Sequence, residues 1–189
     1  PVFLDPNEAG PDYAVQGEYA CQAGDKKMGV QVVAMGKGQF MAAFLEGGLP
    51  GDGYTRDKKR ATATGKTQDG KTVFPAGKDG FEAVIENGAI TGKGASGEKF
   101  SGKRVVRVSP TMGAKCPAGG IVLFDGTNTD AWKDGKIDKR GLLIDGAETK
   151  QNIPDGTLHL EFLLPFKPET KGQDRGNSGL YFQKRYEVQ

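Results

Sequence analysis

Apolar residues along this chain recur at every second position rather than at every third or fourth. Val30, Val32 and Ala34 alternate with Gln31 and Val33, and Phe40, Ala42 and Phe44 follow a Gly36-Lys37-Gly38 turn. Phe81, Ala83 and Ile85 run into Asn87-Gly88 and out again through Ala89-Ile90-Thr91. Period two sends successive side chains to opposite faces of a strand, and Asn-Gly supplies the left-handed residues that a tight hairpin needs. Residues 104–108 read as a further strand, stopped by Pro110. Stripes of helical period are missing apart from a turn near residues 7–13. Short strands separated by turn residues predict an all-β fold, a sandwich or a barrel.

Residues 109–120 hold two prolines and three glycines and interrupt pairing between two strand-rich regions. The boundary is placed near residue 117, which gives an N-terminal small β domain over 1–117 and a second segment over 118–189. In that segment Leu158, Leu160 and Phe162 face one way and His159, Glu161 and Leu163 the other, a half-buried strand ended by Pro165 and Pro168. Residues 167–175 then form a polar loop able to reach over a neighbouring site. Beyond it, Asn177-Ser178-Gly179 reads as a turn feeding two strand-like runs. Gly179, Tyr181 and Gln183 share one face; Arg185, Glu187 and Gln189 share one face of the next run, with the chain reversing near Lys184-Arg185 or continuing through a bulge.

Composition narrows the function classes. Thirty glycines in 189 residues with 36% hydrophobic content suit many short strands. A net charge of +2 makes no field that would draw a nucleic acid or a membrane surface, and no run of about 18 apolar residues is present to span a bilayer. The basic run at 57–60 lacks interleaved aromatics and reads as a wet loop. A first residue of Pro1 rather than Met suggests that an export signal or an expression tag has been removed; export is the reading adopted, which would make the protein periplasmic or extracellular. Cys21 and Cys116 then have two readings: one disulfide, in principle worth ~4–5 kcal/mol, or two free thiols. The sequence sets no oligomeric state.

Candidate chemistry concentrates in carboxylates and amides. Gly65-Lys66-Thr67 lacks the leading glycine and the helix of a phosphate-binding loop, and one histidine with two cysteines barely makes a zinc site. Asp125, Asn128 and Asp130 could offer oxygens to calcium but miss the EF-hand spacing, so no cofactor is expected beyond that candidate. A triad of Ser178 with His159 has no nucleophile elbow to support it. Glu161 and Glu187 on neighbouring strands could reach the separation that glycoside cleavage uses, whereas Arg175 and Arg185 could instead pair with them structurally. Trp132 suits either stacking on a sugar or core packing.

The run from Arg175 to Gln189, preceded by Leu123-Phe124-Asp125-Gly126 with Trp132 after it and by Leu158-His159-Leu160-Glu161-Phe162, resembles the 3-keto-disaccharide hydrolase family over residues 120–189. More loosely, residues 13–117 are similar to the all-β segment that precedes this domain in some planctomycete-type proteins. The resemblance implies part of a concanavalin-A-like β-sandwich (jelly roll) in the second segment and cleavage of a glycosidic bond in a sugar oxidised at C3. It implies Glu187 as base or acid, with Glu161 and Gln189 as positioning or relay partners. Arg175, Asn177, Ser178, Tyr181, Gln183 and Trp132 then bind the carbohydrate. A non-catalytic carbohydrate-binding module or a structural subunit of an exported complex is the alternative, because one fold serves many functions. The family domain runs on past Glu187-Val188-Gln189, so the natural polypeptide is expected to continue, and a site without those strands to be half built and inactive.

Overall fold

The computed structural model describes residues 2–189, and the chain is all-β. A short helix α1 (Pro11–Val15) leads into β1 (Gly17–Ala23), β2 (Lys26–Gly36), β3 (Gln39–Glu46), β4 (Leu49–Pro50) and β5 (Gly53–Tyr54). There follow β6 (Arg60–Gln68), β7 (Lys71–Phe74), β8 (Glu82–Glu86), β9 (Ala89–Lys93) and β10 (Lys99–Val105). Eight of these close into a barrel in the order β1-β10-β9-β8-β7-β6-β3-β2, every neighbouring pair antiparallel. Closure removes the free edges that an open sheet would offer for aggregation.

Tight turns hold the meander in register. Lys37-Gly38, Asp69-Gly70 and Asn87-Gly88 each place both residues at positive φ, the hairpin geometry whose twist matches that of the flanking strands. The alternation seen in the sequence then sorts inside from outside. Val30, Val32, Ala34, Phe40, Ala42, Phe44, Ala83 and Ile85 all point into one core with Tyr19, Phe74, Ile90 and Phe100. A barrel of eight strands is just wide enough for side chains to fill it. Here large rings face residues without side chains: a Cβ on Gly65 would strike Phe74, and one on Gly92 would strike Phe100. Tyr19, fully buried, donates its hydroxyl to the Val15 carbonyl at 2.7 Å, and burial pushes its phenol up to about 12.

The seam between the first and last barrel strands carries an outer clasp. Arg107 grips Glu18 through Nε and Nη2 at 2.6 and 2.7 Å while its Nη1 donates to the Pro50 carbonyl at 2.7 Å. Gln31 adds a hydrogen bond to Glu18 at 3.0 Å. Burial alone would raise the Glu18 carboxyl, but the hydrogen bonds from Arg107 and Gln31 and the Arg107 charge bring it below its ordinary value.

Two compact units result: residues 2–107 together with Leu163–Gln189, and Val108–Phe162. The break therefore falls at Arg107 rather than near 117, because pairing of β10 with β1 ends at Val105 and nothing extends the strand expected over 104–108. Within Val108–Phe162 the strands are β11 (Trp132–Lys133) and β12 (Glu148–Thr149), one antiparallel pair. No described residue of this unit is buried. The strand expected over 158–162 is absent, and Leu158, Leu160 and Phe162 stay 42%, 56% and 68% exposed. Alternation becomes a strand only when a neighbour accepts its backbone hydrogen bonds, and none lies alongside. The first unit ends in β13 (Leu180–Phe182) and β14 (Tyr186–Val188), a separate two-stranded hairpin. Residues 118–189 thus form two small ladders and no sandwich of their own. Among the described residues no helix is long and apolar enough to cross a membrane.

Two stability predictions follow from the barrel. Phe74→Ala, at 1% exposure, should cost about 3–5 kcal/mol in urea denaturation, because the narrow barrel cannot collapse around the void. Glu18 has a folded-state pKa below its unfolded one, so its contribution is complete above the ordinary 4.5 and fades as pH falls through the folded-state value. Denaturation midpoints measured below pH 4.5 should therefore decline less steeply in Arg107→Gln than in the parent chain.

Candidate functional site

The terminal hairpin turns at Gln183 and Lys184, both at positive φ, and the Arg185 N–H donates to the Phe182 carbonyl at 3.0 Å. The reversal falls one residue earlier than Lys184-Arg185, and Gln183 sits in the turn instead of extending the row of Gly179 and Tyr181. Non-glycine residues in this conformation are uncommon, which is why sequence alone points elsewhere. The register sets Tyr181 directly opposite Glu187. Facing pairs of this kind are close enough for their side chains to meet.

Tyr181 faces Glu187 across the ladder, and hydrogen bonding to the carboxylate together with the carboxylate charge raises the phenol above its ordinary value. Room for the carboxylate comes from Gly179, where an added Cβ would collide with the Glu187 side chain. At the end of β14 the Gln189 amide donates to Asn177 Oδ1 at 2.7 Å and to the Ser178 carbonyl at 2.8 Å. Asn177, Ser178, Tyr181, Glu187 and Gln189 are thereby gathered on one exposed hairpin. It offers amides, a carboxylate and a phenol.

Other candidates lie elsewhere. Arg175 is half-buried, and its guanidinium donates to four neutral oxygens: Ala34 O at 2.7 Å, Gln16 Oε1 and Pro168 O at 3.1 Å, and Thr170 O at 3.3 Å. Burial pulls it down from its ordinary value. Glu161, in Val108–Phe162, accepts from the Gly113 N–H and lies 3.0 Å from His159 Nε2. The His159 hydrogen bond, then the Gly113 amide, lower its pKa, so Glu161 is held as a carboxylate. The half-buried Trp132 ties its indole N–H to the Leu123 carbonyl at 2.7 Å.

Asp125 Oδ1 accepts from the Thr127 N–H and hydroxyl, and Asn128 Oδ1 accepts from the Asp130 N–H. These oxygens close their own turns, and among the described residues no group of three His, Cys, Asp or Glu is arranged to hold a metal. Cys21 and Cys116 are free thiols and no bridge joins them. Cys21 points into the barrel, where burial pushes it up to about 12 and leaves it unreactive.

Compared with family models, curated proteins and solved structures, the chain matches none.

The sequence sets His159 beside Glu161 on one strand face without showing that the two side chains meet; their pairing gives a direct test. His159→Phe should move the Glu161 pKa up toward its ordinary 4.5 in a ¹³C-carboxyl NMR titration. An unmoved titration would mean that the Gly113 amide alone fixes the carboxylate.

Proposed function

We propose that the 177–189 hairpin is the sugar-facing edge of a hydrolase that cleaves 3-keto-glycosides, with Glu187 as the proton-transfer group. The observation that carries this reading is the convergence of Tyr181, Glu187, Gln189, Asn177 and Ser178 on one exposed hairpin face. A ketone at C3 acidifies the proton on C2. Glu187 removes that proton, the electron pair forms the C1–C2 double bond as the C1–O bond breaks, and the departing oxygen takes up a proton. Water then adds to the resulting enone. Tyr181, whose phenol is raised by Glu187, keeps its proton at neutral pH and can donate to the developing enolate.

One observation favours a second reading, a carbohydrate-binding module without turnover. Arg175, which the resemblance implies as a carbohydrate-binding cation, donates to neutral oxygens within its own unit.

Glu187→Gln in the intact protein is expected to abolish turnover of a 3-keto-glucoside while leaving its binding within about tenfold, since the amide keeps the shape and loses the proton transfer. Turnover in heavy water should leave deuterium at C2 of the product. Unchanged turnover in the variant removes Glu187 from the chemistry, and binding without turnover by the parent protein establishes the module.

A further inference from the structure

The chain leading to the hairpin is fastened to one end of the barrel. Phe166, 7% exposed, exchanges both backbone hydrogen bonds with Phe3 at 2.9 and 3.0 Å and meets Tyr13 edge-on, ring centroids 5.3 Å apart. Pro168 is buried, and the Glu169 methylene fills the space in which Gly36 lacks a side chain. Arg175 then makes the last attachment. Its Nη2 bonds Ala34 O and Gln16 Oε1, and that same Gln16 oxygen accepts the Ala34 N–H at 3.1 Å. Its Nη1 reaches back to the carbonyls of Pro168 and Thr170, so one planar fork ties β2, the end of α1 and the connecting segment together.

Two residues later the hairpin begins. Asn177 donates its N–H to the Gln173 carbonyl at 3.0 Å, and its side chain holds Gln189 at the far end of β14. The hairpin is a two-stranded sheet that no barrel strand pairs with, and such sheets are marginal alone. We infer that Arg175 is a positioning residue: it seats the Glu187 hairpin on the barrel and does not touch the sugar. The barrel then acts as the foundation of the site. The seating stands on contacts within one compact unit; only its consequence for turnover rests on the proposed function.

The test compares Arg175→Ala, Arg175→Lys and Gln16→Ala with the parent protein by amide hydrogen exchange and by 3-keto-glucoside kinetics. Lysine keeps the charge but cannot span the four acceptors, so it serves as the mild variant if alanine folds poorly. Exchange over residues 177–189 should quicken about tenfold in all three, the effect of losing a charge-assisted hydrogen bond, with the amides of Val30 and Phe44 unchanged. kcat should fall about tenfold with KM within about twofold, the signature of a displaced proton-transfer group. Unchanged exchange of the hairpin in the arginine variants overturns the inference. So does a raised KM in Arg175→Ala with Gln16→Ala behaving as the parent, because Arg175 would then be binding substrate directly. If the parent shows no turnover on any 3-keto-glycoside, the proposed function fails and exchange alone decides the seating.

Discussion

The pairing of β1 on both of its edges is the constraint on which the first unit depends. Tyr19 lies opposite Val30 of β2 on one side and opposite Arg104 of β10 on the other. The first strand thereby meets the last, and a meander that would otherwise expose two edges has none. Closing a loop of that length costs entropy that grows only slowly with its size. Filling the interior with Tyr19, Phe40, Phe44, Phe74 and Phe100 offsets it. The seam is also clasped by arginines, Arg104 donating to the Gln16 carbonyl at 2.9 Å and Arg107 gripping Glu18. Gln16 therefore serves twice, its backbone at the seam and its side chain under Arg175.

Val108–Phe162 shows what the same kind of sequence does without such closure. Its apolar positions alternate as convincingly as those of β2, yet Leu158, Leu160 and Phe162 remain in water. Each ladder hydrogen bond needs a partner, and the driving force for burial needs a second apolar face. Pattern specifies which face of a strand is apolar. It does not supply the neighbour.

That distinction separates what was legible from what was not. The strands around Val30–Ala34, Phe40–Phe44 and Phe81–Ile85, and the hairpin at Asn87-Gly88, follow from local period and turn chemistry, and each can be read from a handful of residues. Barrel against sandwich could not, since the choice lies in whether β10 returns to β1. In the hairpin, Tyr181, Glu187 and Gln189 were recognisable because they are local and of period two. The reversal was legible to within one residue, near Lys184-Arg185, but not its exact position at Gln183-Lys184, because neither residue advertises a left-handed conformation. The seat of Arg175 was not legible, because its acceptor, the Ala34 carbonyl, lies 141 residues away and is backbone, which no side-chain pattern reveals.

The hairpin's own bonds bear on how its chemistry can be altered. Glu187 faces Tyr181 across the ladder and occupies the space above Gly179, while Gln189 closes the strand onto Asn177 and Ser178. An isolated two-stranded sheet has little else to order it. The groups proposed to meet the sugar are thus also the groups that hold the hairpin in shape, so deleting any one of them mixes a loss of chemistry with a loss of form. Substitutions that preserve outline and hydrogen-bonding capacity, Glu187→Gln above all, are the ones that can separate the two. A side chain at Gly179 does the reverse: it leaves every polar group in the chain and moves the carboxylate, which makes the position of Glu187 rather than its presence the variable under test.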